Sequence, residues 1–177
     1  MNTTPADLDE RRLAAWRALL NAHAAAVRAI ERDLASGAYI PLTWYDVLVA
    51  LSEAPGERAR MHELADRVVL SRSGLTRLVD RLEAAGLVRR EASTTDRRGA
   101  FAVLTEEGKA TLLRTWPAYA RGIAAHFARY LSGEEADLVA RVLERVAAKG
   151  VGEPSVVSRQ SSVVKAGSAM IASSEPR

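Results

Sequence analysis

The 177 residues contain no cysteine, which excludes disulfides, thiolate metal sites and thiol redox sensing by this chain. Histidine occurs only at positions 23, 62 and 126, too scattered for a histidine cluster, so neither a metal nor a cofactor is expected. No run of about 18 apolar residues is present, and the first residues, MNTTPADLDERR, are acidic and polar where a signal peptide is basic and then apolar. These absences predict a cytoplasmic protein with no membrane partner. A nucleophile constellation and a phosphate-cradling glycine loop are missing as well, so catalysis is not expected.

What remains is 48% hydrophobic and 27% charged, enough for one well-buried globular domain with appendages. The net charge of +3 is unevenly spread. Between Arg67 and Arg98 stand eight arginines (67, 72, 77, 81, 89, 90, 97, 98) against four acids (Asp80, Glu83, Glu91, Asp96), a local excess suited to a polyanion.

Leu13, Trp16, Leu20, His23, Val27, Ile30 and Leu34 recur at spacings of three and four, the mark of one face of a helix over about 7–35 that Gly37 and Pro41 end. Thr43 is the candidate N-cap of a second helix reaching Ser52, with Trp44, Val47, Leu48 and Leu51 inward. Met61, Leu64, Ala65 and Val68 give a short helix. After Ser71, an N-cap candidate, Leu75, Leu78, Val79 and Leu82 repeat its pattern up to Gly86. Two short helices across a tight turn are a helix-turn-helix candidate. Leu87 to Glu91 and Ala100 to Leu104 then read as strands of a hairpin with a basic tip.

Thr105, followed by Glu106 and Glu107, has the chemistry of a helix start. The apolar face Leu112, Trp116, Ala120, Ile123, Phe127 and Tyr130 carries that helix to about Leu131, bent at Pro117. Ser132 with Glu135 forms a capping box for a last helix to about Lys149. The fold class is therefore mainly α with a small β-hairpin wing. Residues 43–108 make a winged helix-turn-helix, and 7–35 with 109–149 make a helical region whose apolar faces call for a second copy of the chain, a homodimer. Residues 150–177, rich in Ser, Gly and Val without helical period, read as a flexible tail.

With Leu75, Leu78, Val79 and Leu82 inward, Ser73, Arg77 and Asp80 point outward, flanked by Thr76 and Arg81. In a major groove, Arg77 fits a bidentate contact to guanine and Thr76 an apolar contact to a thymine methyl. Ser71, Arg72 and Ser73 fit contacts near the helix start, while Arg72 and Arg81 fit phosphate contact and intrahelical pairing equally. Arg97 and Arg98, on the hairpin turn, suit a narrow minor groove, with Asp96 orienting an arginine. The partner read from these residues is double-stranded DNA; the alternative is an acidic protein docked on the same basic face.

The stretch Leu70-Ser-Arg-Ser-Gly-Leu-Thr-Arg-Leu-Val-Asp-Arg-Leu-Glu-Ala-Ala-Gly-Leu-Val-Arg-Arg90, with Asp96-Arg-Arg-Gly and Leu104-Thr-Glu-Glu-Gly108, resembles the MarR family of bacterial regulators. The resemblance spans about 8–148, and His62 departs from it, standing where the family often has a Ser or Thr cap. It implies a triangular homodimer whose terminal helices pair and whose two winged lobes bind a pseudo-palindromic operator, usually as a repressor. It further implies release by a small, commonly phenolic or anionic effector bound between the two regions. By location that makes Trp16, His23, Trp44, Tyr45 and Asp46 candidates, although Trp16 and His23 equally suit an apolar core or dimer stripe.

Overall fold

A computed structural model describes residues 8–68, 71–92 and 100–150. The chain opens with α1 (Glu10–Ser36) and α2 (Leu42–Ser52). A 3-10 turn, Pro55–Glu57, leads into β1 (Arg58–Arg60), α3 (Met61–Arg67) and α4 (Arg72–Ala84). β2 (Val88–Ala92), β3 (Ala100–Leu104), α5 (Glu106–His126), a second 3-10 turn at Ala128–Tyr130 and α6 (Gly133–Gly150) complete it. The sheet is antiparallel in the order β1-β3-β2, with Ala59 opposite Ala102 and Arg90 opposite the same Ala102 from the other side.

Local chemistry accounts for most helix ends. Asp9 accepts the Arg12 N–H at 2.7 Å, Ser71 the Gly74 N–H at 3.1 Å, and Thr105 the Gly108 N–H at 3.0 Å. Ser132 and Glu135 close their box reciprocally, with Ser132 N–H donating to Oε2 at 2.8 Å and Glu135 N–H to the hydroxyl at 3.3 Å. Gly86, at φ +73°, supplies the left-handed residue just past α4 that a side chain would strain.

Four expectations need correction. α2 begins at Leu42 behind Pro41, not behind a Thr43 cap, because the Glu31 carboxylate on α1 accepts the Leu42 N–H at 3.1 Å and does the capping from another helix. The helix carrying Trp116 ends at His126 and not at Leu131: Phe127, at φ −139° and ψ −62°, leaves helical geometry although the apolar spacing continues. The first hairpin strand runs one residue later than expected, Val88–Ala92. A third strand, β1, escapes the pattern because three residues, Arg-Ala-Arg, show no period and become a strand only by pairing with β3. α5 continues unbroken through Pro117. α3 starts at Met61 without a Ser or Thr cap; Glu63 accepts the Arg60 N–H at 3.2 Å instead.

The main core gathers Val47, Leu48 and Leu51 of α2, Leu64 of α3, Leu75, Val79 and Leu82 of α4, Val88 and Ala102 of the sheet and Leu112 of α5. A smaller cluster, Ile30, Leu34, Leu42 and Ala118, fastens the second half of α1 to α5. Among the described residues the apolar stripe of α1 is covered only there. Trp16 is 54% exposed and Leu20 47%, and on α6 Leu138 is 53% and Val146 62% exposed, so α1 and α6 carry long apolar faces that the described residues leave uncovered. Among the described residues no helix is long and apolar enough to cross a membrane.

Candidate nucleic-acid interface

The α4 helix is seated by burial of Leu75, Leu78, Val79 and Leu82, so its opposite face is fixed toward solvent. Ser73, Thr76, Arg77, Asp80 and Arg81 all lie exposed on it, and Arg72 opens the helix behind the Ser71 cap. Arg77 Nε donates to the Ser73 carbonyl at 3.4 Å and Arg81 Nε to the Arg77 carbonyl at 3.3 Å, which lays each side chain along the helix surface. Asp96, Arg97 and Arg98 lie outside the described residues; the pairing of Ala92 with Ala100 puts them in the connection between β2 and β3.

Three arginines that the sequence reading left without a task belong to this neighbourhood. Arg90, on the inner face of β2 with buried Val88, reaches α4: its guanidinium lies 2.5 Å from Asp80 Oδ1 and 2.9 Å from Glu83 Oε2. Arg58 and Arg60 sit on the outer face of β1, with their guanidinium carbons 5.0 and 5.1 Å from the Phe101 ring centre. Arg58 also meets Glu91 at 3.6 Å, and Glu91 pairs with Arg89. The signal for Arg90 was an arginine at an inward strand position with acids seven and ten residues earlier; for Arg58 and Arg60 the sequence offers none.

The effector candidates are not brought together within one chain. Tyr45 is buried edge-on to Tyr119 at 4.9 Å, with Trp116 6.2 Å beyond, while Trp44 and Asp46 are half-buried beside it. Trp16 and His23 are exposed on the free half of α1, roughly 22 and 12 Å along the helix axis from Glu31, where α1 meets α2. The buried indole N–H of Trp116 has no hydrogen-bond acceptor among the described residues.

Burial pushes the Tyr45 hydroxyl well above its usual range, and neighbouring Tyr119 adds to the shift. Asp46 is pushed up to about 6, by burial first and by the Glu31 charge second. A carboxyl held more tightly by its proton in the folded chain than in the unfolded one weighs against folding as pH rises from about 4 through 6, and fully above that. Replacing Asp46 with Asn is therefore expected to raise the urea midpoint at pH 8, a gain of roughly 1–2 kcal/mol that shrinks steadily toward pH 5. A gain that did not depend on pH would contradict the assignment.

Comparison with known proteins agrees with this geometry. Residues 40–99 match the MarR family model. The chain is 36% identical over 86 residues to the HTH-type transcriptional regulator MhqR of Bacillus subtilis, a match spanning 49% of this chain and 59% of the relative's length, and thus less than two thirds of it. It is 33% identical over 103 residues to the transcriptional regulator HosA of Escherichia coli, covering 58% of this chain and 73% of HosA. Among solved structures, AbsC of Streptomyces coelicolor, a MarR family transcriptional regulator, superposes with a TM-score of 0.71 at 34% identity over 82% of this chain and 97% of its own. Sco3205 of the same organism, solved in complex with DNA, gives 0.72 at 35% identity over 82% of this chain and 91% of its own. At this identity and over nearly the whole length of both solved relatives, the chain belongs to the MarR family of transcriptional regulators.

Proposed function

We propose that the protein is a homodimeric repressor that binds a pseudo-palindromic operator, with one winged lobe on each half-site. The observation that carries this reading is α4: capped at Ser71, anchored by Leu75, Val79 and Leu82, and presenting Ser73, Thr76, Arg77 and Arg81 to solvent beside the β2–β3 hairpin. A helix so exposed fits a major groove with its first turns toward base edges. In this reading Arg77 and Thr76 choose bases, Ser71, Arg72, Ser73 and Arg81 hold phosphates or the helix start, and Arg97 and Arg98 enter the adjoining minor groove with Asp96 orienting them. Sco3205, solved in complex with DNA, supports DNA as the partner.

Residues 43–108 are then the reading domain, and 7–35 with 109–149 the dimerisation region. The exposed apolar faces of α1 and α6 support pairing with a second copy, as does the open groove between Ala22, Ala26 and Ala29 of α1 and Phe127 and Leu131 after α5. For an effector, the ring cluster of Tyr45, Trp116 and Tyr119 with half-buried Trp44 and Asp46 is the candidate contact between the two regions. A phenolic or anionic acceptor would suit the indole N–H of Trp116. Trp16 and His23 would belong to such a site only if the partner subunit's fold returned them to it.

Selection of duplexes from a random pool at two salt concentrations tests the reading. The expected product is a two-fold symmetric site with half-sites about one helical turn apart and affinity that falls steeply with salt. The Arg77→Ala variant is expected to keep its fold and lose about 10- to 100-fold in affinity for the selected site, with relaxed preference at one base pair in each half. Recovery of unrelated sequences by the unaltered protein, or unchanged selectivity in the variant, would sink the proposal. Tight retention of an acidic protein without duplex binding would replace it with the docking alternative.

A further inference from the structure

Asp80 is an awkward residue in the interface just described. It lies on the outward face of α4 with Ser73 and Arg77, at the spacing that stacks 73, 77 and 80 along one line of the helix, and Glu83 follows a turn later. Left alone, a carboxylate there faces a groove walled by phosphates. Both acids, however, are taken up by one side chain from the wing strand. Arg90 Nη2 reaches Asp80 Oδ1 at 2.5 Å and the Thr76 carbonyl at 3.5 Å, Nη1 reaches Glu83 Oε2 at 2.9 Å, and the Arg90 backbone N–H donates to Glu83 Oε1 at 3.0 Å.

We infer that Arg90 is a positioning residue for DNA binding, masking the two acids of the reading helix and clamping β2 to α4 so that helix and wing meet adjacent grooves in a fixed relation. The inference rests on the DNA-binding reading of α4. The planar fork of a guanidinium serves two carboxylates at once, which the point charge of a lysine does not. The side chains of Arg90, Asp80 and Glu83 are 30%, 51% and 38% exposed, and ion pairs so wet contribute little to folding. The arrangement therefore matters where a polyanion approaches, more than in the free protein. Arg89, the next residue, faces the opposite side of the sheet, where it pairs with Glu91 and has no part in the clamp.

The test compares dissociation constants for the selected duplex and for an unrelated one, at two salt concentrations, across five full-length proteins. Arg90→Gln is expected to melt within a few degrees of the unaltered chain and to bind the selected duplex at least 10-fold more weakly, whereas Arg89→Gln changes binding less than 3-fold. The double variant Asp80→Asn with Arg90→Gln is expected to recover part of the lost affinity, because the unmasked acid nearest the groove is gone while the clamp stays open. Asp80→Asn alone, which keeps the Glu83 link, is expected to bind every duplex more tightly and to steepen the salt dependence by about one ion. The inference falls if Arg90→Gln binds within 2-fold of the unaltered protein, if Arg89→Gln loses as much, or if the double variant recovers nothing. Should Arg90→Gln fail to fold, an Asp80→Asn protein with unchanged affinity overturns the inference by itself. Failure of the underlying DNA reading shows separately, as an unaltered protein that selects no duplex, and the inference falls with it.

Discussion

Replacing Gly108 with alanine is expected to destabilise the protein by about 3 kcal/mol or more, enough to leave a large unfolded fraction in a domain of ordinary stability. A Cβ at this position would stand 2.2 Å from the Leu87 carbonyl oxygen and 2.7 Å from Leu104 Cδ1, and the first of these is backbone that cannot rotate away. The closeness is enforced from both sides. Thr105 donates its hydroxyl to the Gly86 carbonyl at 2.7 Å and its own N–H to the Leu87 carbonyl at 3.2 Å, stitching the turn after α4 to the first turn of α5. Gly133→Ala, where nothing lies within 4 Å, is the control and is expected to change the urea midpoint little. Equal midpoints for the two variants would show that the turn and helix can move apart without cost.

The second large effect is expected on α6. The paired change Val142→Glu and Val146→Glu places two charges one turn apart on the helix's apolar face, of which Val146 is 62% and Val142 38% exposed in the single chain. Because those side chains contribute little to the core, the circular dichroism spectrum and the melting of the reading lobe are expected to persist, while sedimentation shifts from dimer to monomer. Operator affinity should then fall by a factor on the order of 100 or more, since the second half-site contact ceases to be intramolecular. A variant that still sediments as a dimer would exclude the α6 face from the interface.

What could be read in advance was chemistry confined to a few neighbouring residues. Ser71, Gly86, Thr105 and the Ser132–Glu135 pair act on backbone groups within one turn of themselves, so their roles survive without knowledge of the rest of the chain. The features that stayed hidden depend on distant partners. Pro41 starts α2 because Glu31 on another helix accepts the Leu42 N–H, β1 exists because β3 lies beside it, and Arg90 acquires its partners only when the strand folds back over α4. Apolar spacing also says which face is buried and not where backbone geometry changes. The stripe through Phe127 and Tyr130 therefore masked the end of α5 at His126. For the same reason one continuous stripe on α1 carried no mark dividing the half held against α5 from the half left exposed. The candidate site followed this division: the outward face of α4 was legible from its periodicity, whereas the positions of Trp16 and His23 relative to Tyr45 were not.

Among the described residues the sheet order β1-β3-β2 leaves one side of β1 and one side of β2 unpaired, and such edges invite other chains to add on as further strands. The short β1 offers only three residues and flanks its single alanine with Arg58 and Arg60, while β2 carries Arg89, Arg90 and Glu91 in succession. Charged side chains along both edges thus guard the sheet against aggregation: a second sheet arriving edge-on would have to displace them before it met a hydrogen bond.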